Sequence, residues 1–288
     1  MAAGVYFLAN DAILELAIAF LTSVRAHNPG VPLCLIPYDT DIRDLATLRR
    51  QFDFSIYDNE AVLARCDQIS VSFHRKPYGH YRKLAAWEGP FDKFVYIDAD
   101  TVVLQRVDCI FPLLDRFDFL VSHSHVPEQQ RWVWKPSVHI AGKLTGEQIA
   151  FSANTGFFAS RLDVLSILEA ERCLPEALEL APHMELLCME QPFLNYLMVT
   201  SGRRLSSLRS IRQRFRVDIP LACWAGEPGG KAVNGRFEGP VDNPVLLVHW
   251  AGLWRSLAQN QAEQMPLLEL WKFYRYGASV NSVRESTA

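Results

Sequence analysis

Lys93-Phe94-Val95-Tyr96-Ile97-Asp98-Ala99-Asp100-Thr101-Val102-Val103-Leu104 is the stretch around which the rest of the chain is organised. Its apolar, β-branched and aromatic run reads as a strand buried on both faces of a parallel sheet, and two carboxylates stand where that strand should end. With one residue between them, Asp98 and Asp100 would point the same way in an extended chain and reach one cation or one metal-bound phosphate. In open α/β sheets, ligands bind beyond the carboxyl ends of strands. An Asp-x-Asp triplet alone fits a plain surface turn equally well, so its meaning depends on partners elsewhere.

The residues before it carry a β, α, β, α, β rhythm. Val5–Ala9 reads as a strand running into Asn10-Asp11, a helix follows from Ala12 to about Arg25, and Pro29-Gly30 stops it. Leu33–Ile36 and Phe54–Tyr57 read as strands on either side of a helical pattern through Ile42, Leu45, Leu48 and Phe52, and Tyr81–Glu88 reads as a helical segment carrying Lys83 and Trp87. Residues 1–105 thus resemble a nucleotide-binding half.

After it, Phe117–Val121 reads as a strand leading into a long connection with His123, His125, Trp132 and Trp134. Helices are expected over Leu162–Glu171 and Pro175–Glu185, and another from Glu190-Gln191-Pro192 to about Val199, because proline fits a first helical turn. A last strand, Val245–Val248, runs into His249 and Gly252-Leu253-Trp254-Arg255, and Gln264–Tyr276 reads as a terminal helix.

Composition narrows the class. In 288 residues, 49% are apolar and 21% charged, the profile of a globular enzyme, and the formal charge of −3 argues against general nucleic-acid binding. No apolar run reaches the roughly 18 residues of a membrane span, and the first residues lack a signal-like pattern, so a cytosolic chain is expected, with peripheral membrane contact left open. The six cysteines include no Cys-x-x-Cys pair, which disfavours structural zinc and a disulfide framework. Arg203, Arg204, Arg209, Arg212, Arg214 and Arg216 share a window without acidic residues, which suits an anionic acceptor or membrane, or an ordinary solvated, partly ion-paired face. No residue pattern specifies an oligomer.

His249 ends a buried strand as Asp98 does, so the sheet would bring Asp98, Asp100 and His249 together. Two carboxylates and an imidazole suit an octahedral divalent ion, Mn2+ first and Mg2+ second. Gly252 permits close backbone approach to a ligand, and Arg255 offers a planar fork of donors to a phosphate.

Taken in order, these motifs resemble the retaining, metal-dependent GT-A glycosyltransferases of family 8, the glycogenin-like group. Asn10-Asp11-Ala12, Lys83-Leu84 with Trp87, Asp98-Ala99-Asp100-Thr101, Asp108–Phe111, Asn154-Thr155-Gly156, Glu190-Gln191 and His249 to Arg255 each stand where that family has its own motif. The resemblance implies an α/β, Rossmann-like GT-A fold: a mixed, mostly parallel sheet flanked by helices, with a C-terminal helical extension. It implies one transferase domain over 1–258, with an acceptor half over 106–258, and a helix and tail over 259–288. It implies a hexosyltransferase drawing on a nucleotide-sugar donor, of UDP-glucose or UDP-galactose type, and a glycan, glycolipid or small-molecule acceptor.

Site roles follow residue by residue. Asp98, Asp100 and His249 would hold the metal, with Asp98 also touching ribose or sugar; Gly252 and Arg255 would bind the β-phosphate; Lys83, Asn154 and Gly156 would line the sugar; Glu190 and Gln191 would lie near the anomeric carbon; Ala9, Asn10 and Asp11 would line the nucleotide pocket. Ile13 stands where the group has a tyrosine against uracil, Arg255 replaces lysine, and Glu190 replaces aspartate. Two other readings compete: a sugar-nucleotide nucleotidyltransferase, which would need a glycine-rich loop in place of Leu8-Ala9-Asn10-Asp11, and a catalytically idle glycan- or nucleotide-binding scaffold.

Overall fold

The computed structural model of the chain describes residues 2–227, 230–233, 236–238, 244–252 and 265–277. Its strands are β1 (Ala3–Ala9), β2 (Leu33–Pro37), β3 (Phe54–Ile56), β4 (Lys93–Ile97), β5 (Thr101–Val103), β6 (Phe119–Val121), β7 (Phe157–Arg161), β8 (Leu205–Ser207), β9 (Leu221–Trp224), β10 (Lys231–Val233), β11 (Arg236–Glu238) and β12 (Val245–His249). The helices are α1 (Leu14–His27), α2 (Arg43–Thr47), α3 (Arg49–Phe52), α4 (Glu60–His74), α5 (Pro127–Gln130), α6 (Val138–Ala141), α7 (Gly146–Phe151), α8 (Ile167–Leu180), α9 (Gln191–Thr200), α10 (Leu208–Phe215) and α11 (Leu268–Tyr276).

Seven strands form the main sheet in the order β3-β2-β1-β4-β7-β6-β8. All run parallel except β7, which pairs antiparallel with both β4 and β6. Both faces are covered. Along β1, Tyr6 and Leu8 join a core with α4, α8 and α9, whereas Val5, Phe7 and Ala9 join one with α1, α2 and α10. This alternation is why the strand reads as continuously apolar.

The quoted stretch is not one strand. β4 ends at Ile97, Asp98-Ala99-Asp100 makes a bend, and β5 continues in a second sheet of order β5-β12-β9. The carboxylates therefore occupy a corner between two sheets. β12 pairs antiparallel with β5 and parallel with β9, so that His249 faces Thr101 on one side and Trp224 on the other. The Asp100 carbonyl also accepts from the Trp250 amide at 3.0 Å. Trp250 is fully buried and donates its indole N–H to the Pro266 carbonyl at 2.7 Å, in a core shared with Trp271 and Tyr274 of α11. α11 also packs on α1, where Arg275 makes a two-pronged pair with Glu15.

Several expectations are corrected. The two helices expected over 162–185 are one, α8, with Pro175 inside it. A proline there removes one backbone bond, and the buried face of Ile167, Ala170, Ala177 and Leu180 outweighs that loss. Tyr81–Glu88 lies within a run of 3-10 turns spanning Gly79–Glu88, and the connection after β6 contains three short helices, α5 to α7. Neither α4 nor α10 was foreseen. The terminal helix begins at Leu268, later than expected.

The arginine window is partly neutralised by acids outside it: Arg203 pairs with Glu169, Arg204 with Asp118, and Arg212 with Asp218, just past the window's end. All six cysteines are free. Among the described residues no helix is long and apolar enough to cross a membrane.

Candidate active site

Asp98, Asp100 and His249 each present one ligand atom, and those atoms all lie within 4.8 Å of one another. His249 Nε2 is 3.0 Å from Asp100 Oδ1 and 3.9 Å from Asp98 Oδ2. Among the described residues this is the one group of three or more such side chains that could hold an ion. Behind it stands Lys83, buried, with its ammonium 3.0 Å from Asp98 Oδ1, 2.6 Å from Glu190 Oε1 and 3.3 Å from the Thr155 carbonyl. An ammonium has three donors, and these contacts occupy them all. Lys83 therefore has no proton to offer a sugar, and its place is beneath the site.

The electrostatics follow from burial and neighbours. Burial disfavours the Asp98 carboxylate, but Lys83, His249 and the Tyr96 hydroxyl, which donates to Oδ1 at 2.6 Å, outweigh it and hold its pKa below the usual value. Burial likewise disfavours the His249 imidazolium, yet Asp100 and Asp98 raise its pKa. Three carboxylates (Asp98, Asp100, Glu190) against one ammonium leave an excess of negative charge, the condition that attracts a cation.

Gly156 lets its backbone approach these side chains closely. A Cβ there would lie 2.2 Å from His249 Cε1 and 2.9 Å from both Asp98 Oδ2 and Asn154 Oδ1. No larger residue fits against these three side chains. The donor set of two carboxylates and an imidazole fits a six-coordinate divalent ion that takes further oxygen ligands.

The loop carrying Gly156 is fixed from α9. Asn195 bonds both the amide and the carbonyl of Ala153, Gln191 Oε1 accepts from the Thr155 amide at 3.1 Å, and Glu190 Oε1 accepts from the Thr155 hydroxyl at 2.9 Å. Gln191 Nε2 donates to the Trp132 carbonyl at 2.9 Å. Asn154 Oδ1 accepts from the Gly156 amide, and the Asp98 amide donates to the Gly156 carbonyl, both at 2.8 Å. Glu190 and Gln191 are placed by Met189, whose φ of 53° and ψ of −114° are unusual for a side chain-bearing residue. Its carbonyl accepts from the Tyr81 hydroxyl at 3.2 Å.

At the other end, Ala9 closes β1 and its carbonyl accepts from the Tyr38 amide. Asn10 donates to Asp39 at 2.8 Å, and the Asp11 carboxylate accepts from the Asp44 and Leu45 amides. Both side chains pin the loop after β2, and Asp11 caps α2. Gly252 has φ +73°, which glycine adopts without strain. Arg255 lies outside the described residues.

Of the two alternating histidines, His123 bonds Ser122 and His125 bonds Glu147. The tryptophan pair splits: Trp134 is buried, and Trp132 is 51% exposed.

Four site residues went unread in the sequence. Tyr96 lies two positions before Asp98, and that period-2 spacing was a usable signal. Thr155 was visible only as the middle of Asn154-Thr155-Gly156. His80 is pushed to a lower pKa by burial while Glu190, Asp98 and Asp100 pull against it, so it faces the same charges; its Nδ1 is 3.3 Å from the Tyr38 hydroxyl. Trp224 had no local signal, because only the pairing of β9 with β12 places it beside His249.

No family model matches the chain, and no curated protein matches it. Solved structures match its fold. The apo WbbM bifunctional glycosyltransferase aligns with a TM-score of 0.57 at 11% identity, over 98% of this chain and 51% of its own, so the chain spans about half the length of that protein. The galactosyltransferase LgtC, solved with donor and acceptor sugar analogs, aligns with a TM-score of 0.52 at 16% identity over 86% of this chain and 87% of its own. Mouse xyloside xylosyltransferase 1, in its apo form, gives 0.52 at 13% identity, over 72% and 85%. The mostly parallel sheet between helical layers is the GT-A fold expected above.

Proposed function

We propose that this chain is a metal-dependent hexosyltransferase of the retaining kind, akin to family 8, taking its sugar from a nucleoside diphosphate of UDP-glucose or UDP-galactose type and passing it to an acceptor hydroxyl. The observation that carries the reading is the convergence of Asp98, Asp100 and His249 at the carboxyl edge of a GT-A sheet, with Gly156 allowing the neighbouring loop to pack directly against them. Asp98, Asp100 and His249 would hold Mn2+, or Mg2+ as second choice. When bound, such an ion supplies positive charge for a departing diphosphate.

The chain's own residues do the rest. Lys83 ion-pairs with both Asp98 and Glu190 and fixes their positions, and Tyr96 holds Asp98 from its other side. Gly252 and Arg255 would receive the β-phosphate, and Ala9, Asn10 and Asp11 would border the nucleotide through backbone and loop. Asn154 and Gly156 would border the sugar, with Gln191 held near the anomeric carbon by Thr155 and Trp132. Glu190 is 4% exposed and locked to Lys83 and Thr155, which makes it a poor nucleophile. That favours same-face attack, in which the acceptor oxygen bonds to the anomeric carbon as the sugar–phosphate bond breaks and the acceptor proton passes to the leaving phosphate. Isolation of a covalent sugar adduct on Glu190 or Gln191 would overturn this route.

The reading is tested by following donor hydrolysis and transfer with Mn2+ and after chelation. Activity should disappear on chelation and return with the ion, and Asp100→Ala should lower the rate at least about 100-fold. Equal rates with and without ion refute metal dependence. A panel of nucleotide sugars in thermal shift then ranks donors, since stabilisation rises with the logarithm of ligand concentration over Kd.

A further inference from the structure

The run of 3-10 turns over Gly79–Glu88 crosses the ends of three strands. It packs on β2, β1 and β4, which are neighbours in that order in the main sheet. On the face of the sheet that carries Tyr6 and Leu8, β2 leads into Tyr38 and β4 into Asp98, by the period of two along each strand. The run is tied at both points. His80 Nδ1 lies 3.3 Å from the Tyr38 hydroxyl with the two rings at 89°, and one turn later Lys83 pairs with Asp98. A Cβ on Gly79 would come within 1.9 Å of the Tyr38 carbonyl oxygen, so the run begins directly on the end of β2.

Residues three apart in a 3-10 helix eclipse one another and are separated by about 6 Å along it. His80 therefore shares a face with Lys83 and stands little more than one strand spacing of about 4.8 Å from it, beyond the end of β1. There the strand order reverses, with β2 and β3 on one side of β1 and β4 on the other, and ligands bind at such a switch point. Burial chiefly lowers the His80 pKa, and Glu190, Lys83, Asp98 and Asp100 all act on the ring, which places it within reach of the charged cluster. The imidazole is thus neutral at neutral pH. Burial also pushes the Tyr38 hydroxyl up to about 12, so it stays protonated, and the Gly79 amide bonds its oxygen. The phenol proton then goes to Nδ1, which leaves the imidazole's own N–H on Nε2. Nε2 has no hydrogen-bond partner among the described residues. In a nucleoside diphosphate whose phosphates meet an ion at Asp98 and whose base lies beyond Asn10, the group that crosses this gap is the ribose, because it joins the two.

We propose that His80 is a donor-binding residue whose Nε2–H donates to a ribose hydroxyl of the nucleoside diphosphate. This deepens the transferase reading and rests on it for the class of donor. UDP, ADP and GDP are titrated with Mn2+ into the wild-type chain by calorimetry. The tightest binder is then compared with its 2′-deoxy and 3′-deoxy forms and with inorganic pyrophosphate in the wild type, His80→Ala, His80→Gln and Tyr38→Phe. The wild type should bind the ribonucleotide at least about 5-fold more tightly than one of the deoxy forms, the effect of one neutral hydrogen bond. His80→Ala should bind the two alike, with pyrophosphate affinity within about two-fold of wild type. His80→Gln, which keeps an N–H donor, should restore part of the preference, and Tyr38→Phe should weaken it. Equal binding of ribo and deoxy forms by the wild type, or a preference that persists in His80→Ala, overturns the contact. So does an equal loss of pyrophosphate binding, which would make the ring a support for the ion ligands. A wild type that binds no nucleoside diphosphate sinks both readings, whereas one that binds it through His80 but hydrolyses no sugar donor sinks the transferase reading alone.

Discussion

Gly156 and Lys83 flank the proposed ion site from opposite sides. In Gly156→Ala the new methyl carbon would meet His249, Asp98 and Asn154 at once, so the ligands must separate. Mn2+ affinity, read by calorimetry, should fall by about 10- to 100-fold with the circular dichroism unchanged; unaltered affinity would show that the imidazole yields without cost. Lys83→Met leaves the buried Glu190 and the half-buried Asp98 with no cation between them, and should lower unfolding free energy in urea by about 3–5 kcal/mol. Adding Glu190→Gln should recover part of that loss, because the two residues are directly coupled. The convergence of Asp98, Asp100 and His249 was legible in the sequence because strand ends are recognisable and carboxylates are costly there. Lys83 was legible as a member of the site but not in its orientation: nothing in a linear chain tells whether an ammonium faces a ligand or the carboxylates that hold it.

Met189 and the loop after β6 show the same limits for whole elements. The head of α9 is aimed by a residue at φ 53°, where an L side chain is strained. Met189→Gly should therefore be neutral or stabilising by up to about 2 kcal/mol in thermal unfolding, against a loss of about 1 kcal/mol for glycine at an unstrained position. A loss as large as the latter would mean the strain is absorbed elsewhere. His123, at the end of β6, is held by burial, and secondarily by Arg209, at a pKa of about 4. Its folded value lies below the unfolded value of about 6.5, so its neutral form favours the native state above that pH. Stability is then lost as pH falls from about 6.5 to 4, by on the order of 2–3 kcal/mol, and His123→Asn should flatten that decline in a pH series of urea midpoints. The strands of the first half were legible because burial on both faces leaves an unbroken apolar run. α8 was not, since a proline reads locally as a boundary and the packing that carries the helix past Pro175 comes from elsewhere in the chain.

At the scale of the whole molecule, the seven-stranded and three-stranded sheets join at Asp98-Ala99-Asp100, beside a separate two-stranded pair of β10 and β11, and α11 braces the three-stranded sheet through Trp250 and the outer side of α1. The parallel rhythm foretold the large sheet; the small one was hidden, because pairing of β5 with β12 and of β12 with β9 brings together segments far apart in sequence. Removing residues 265–288 should lower the urea midpoint and also weaken Mn2+ binding, since Trp250 donates to Asp100 and adjoins His249. A truncated chain that unfolds earlier yet binds the ion equally well would separate the two effects. The corner has a mechanical consequence as well. An ion gripping Asp98 and Asp100 on one side and His249 on the other would work as a rivet across a seam, so deuterium uptake at Thr101–Val103 and Val245–His249 should slow when Mn2+ is added, while the distant edge around Phe54–Ile56 exchanges at its former pace.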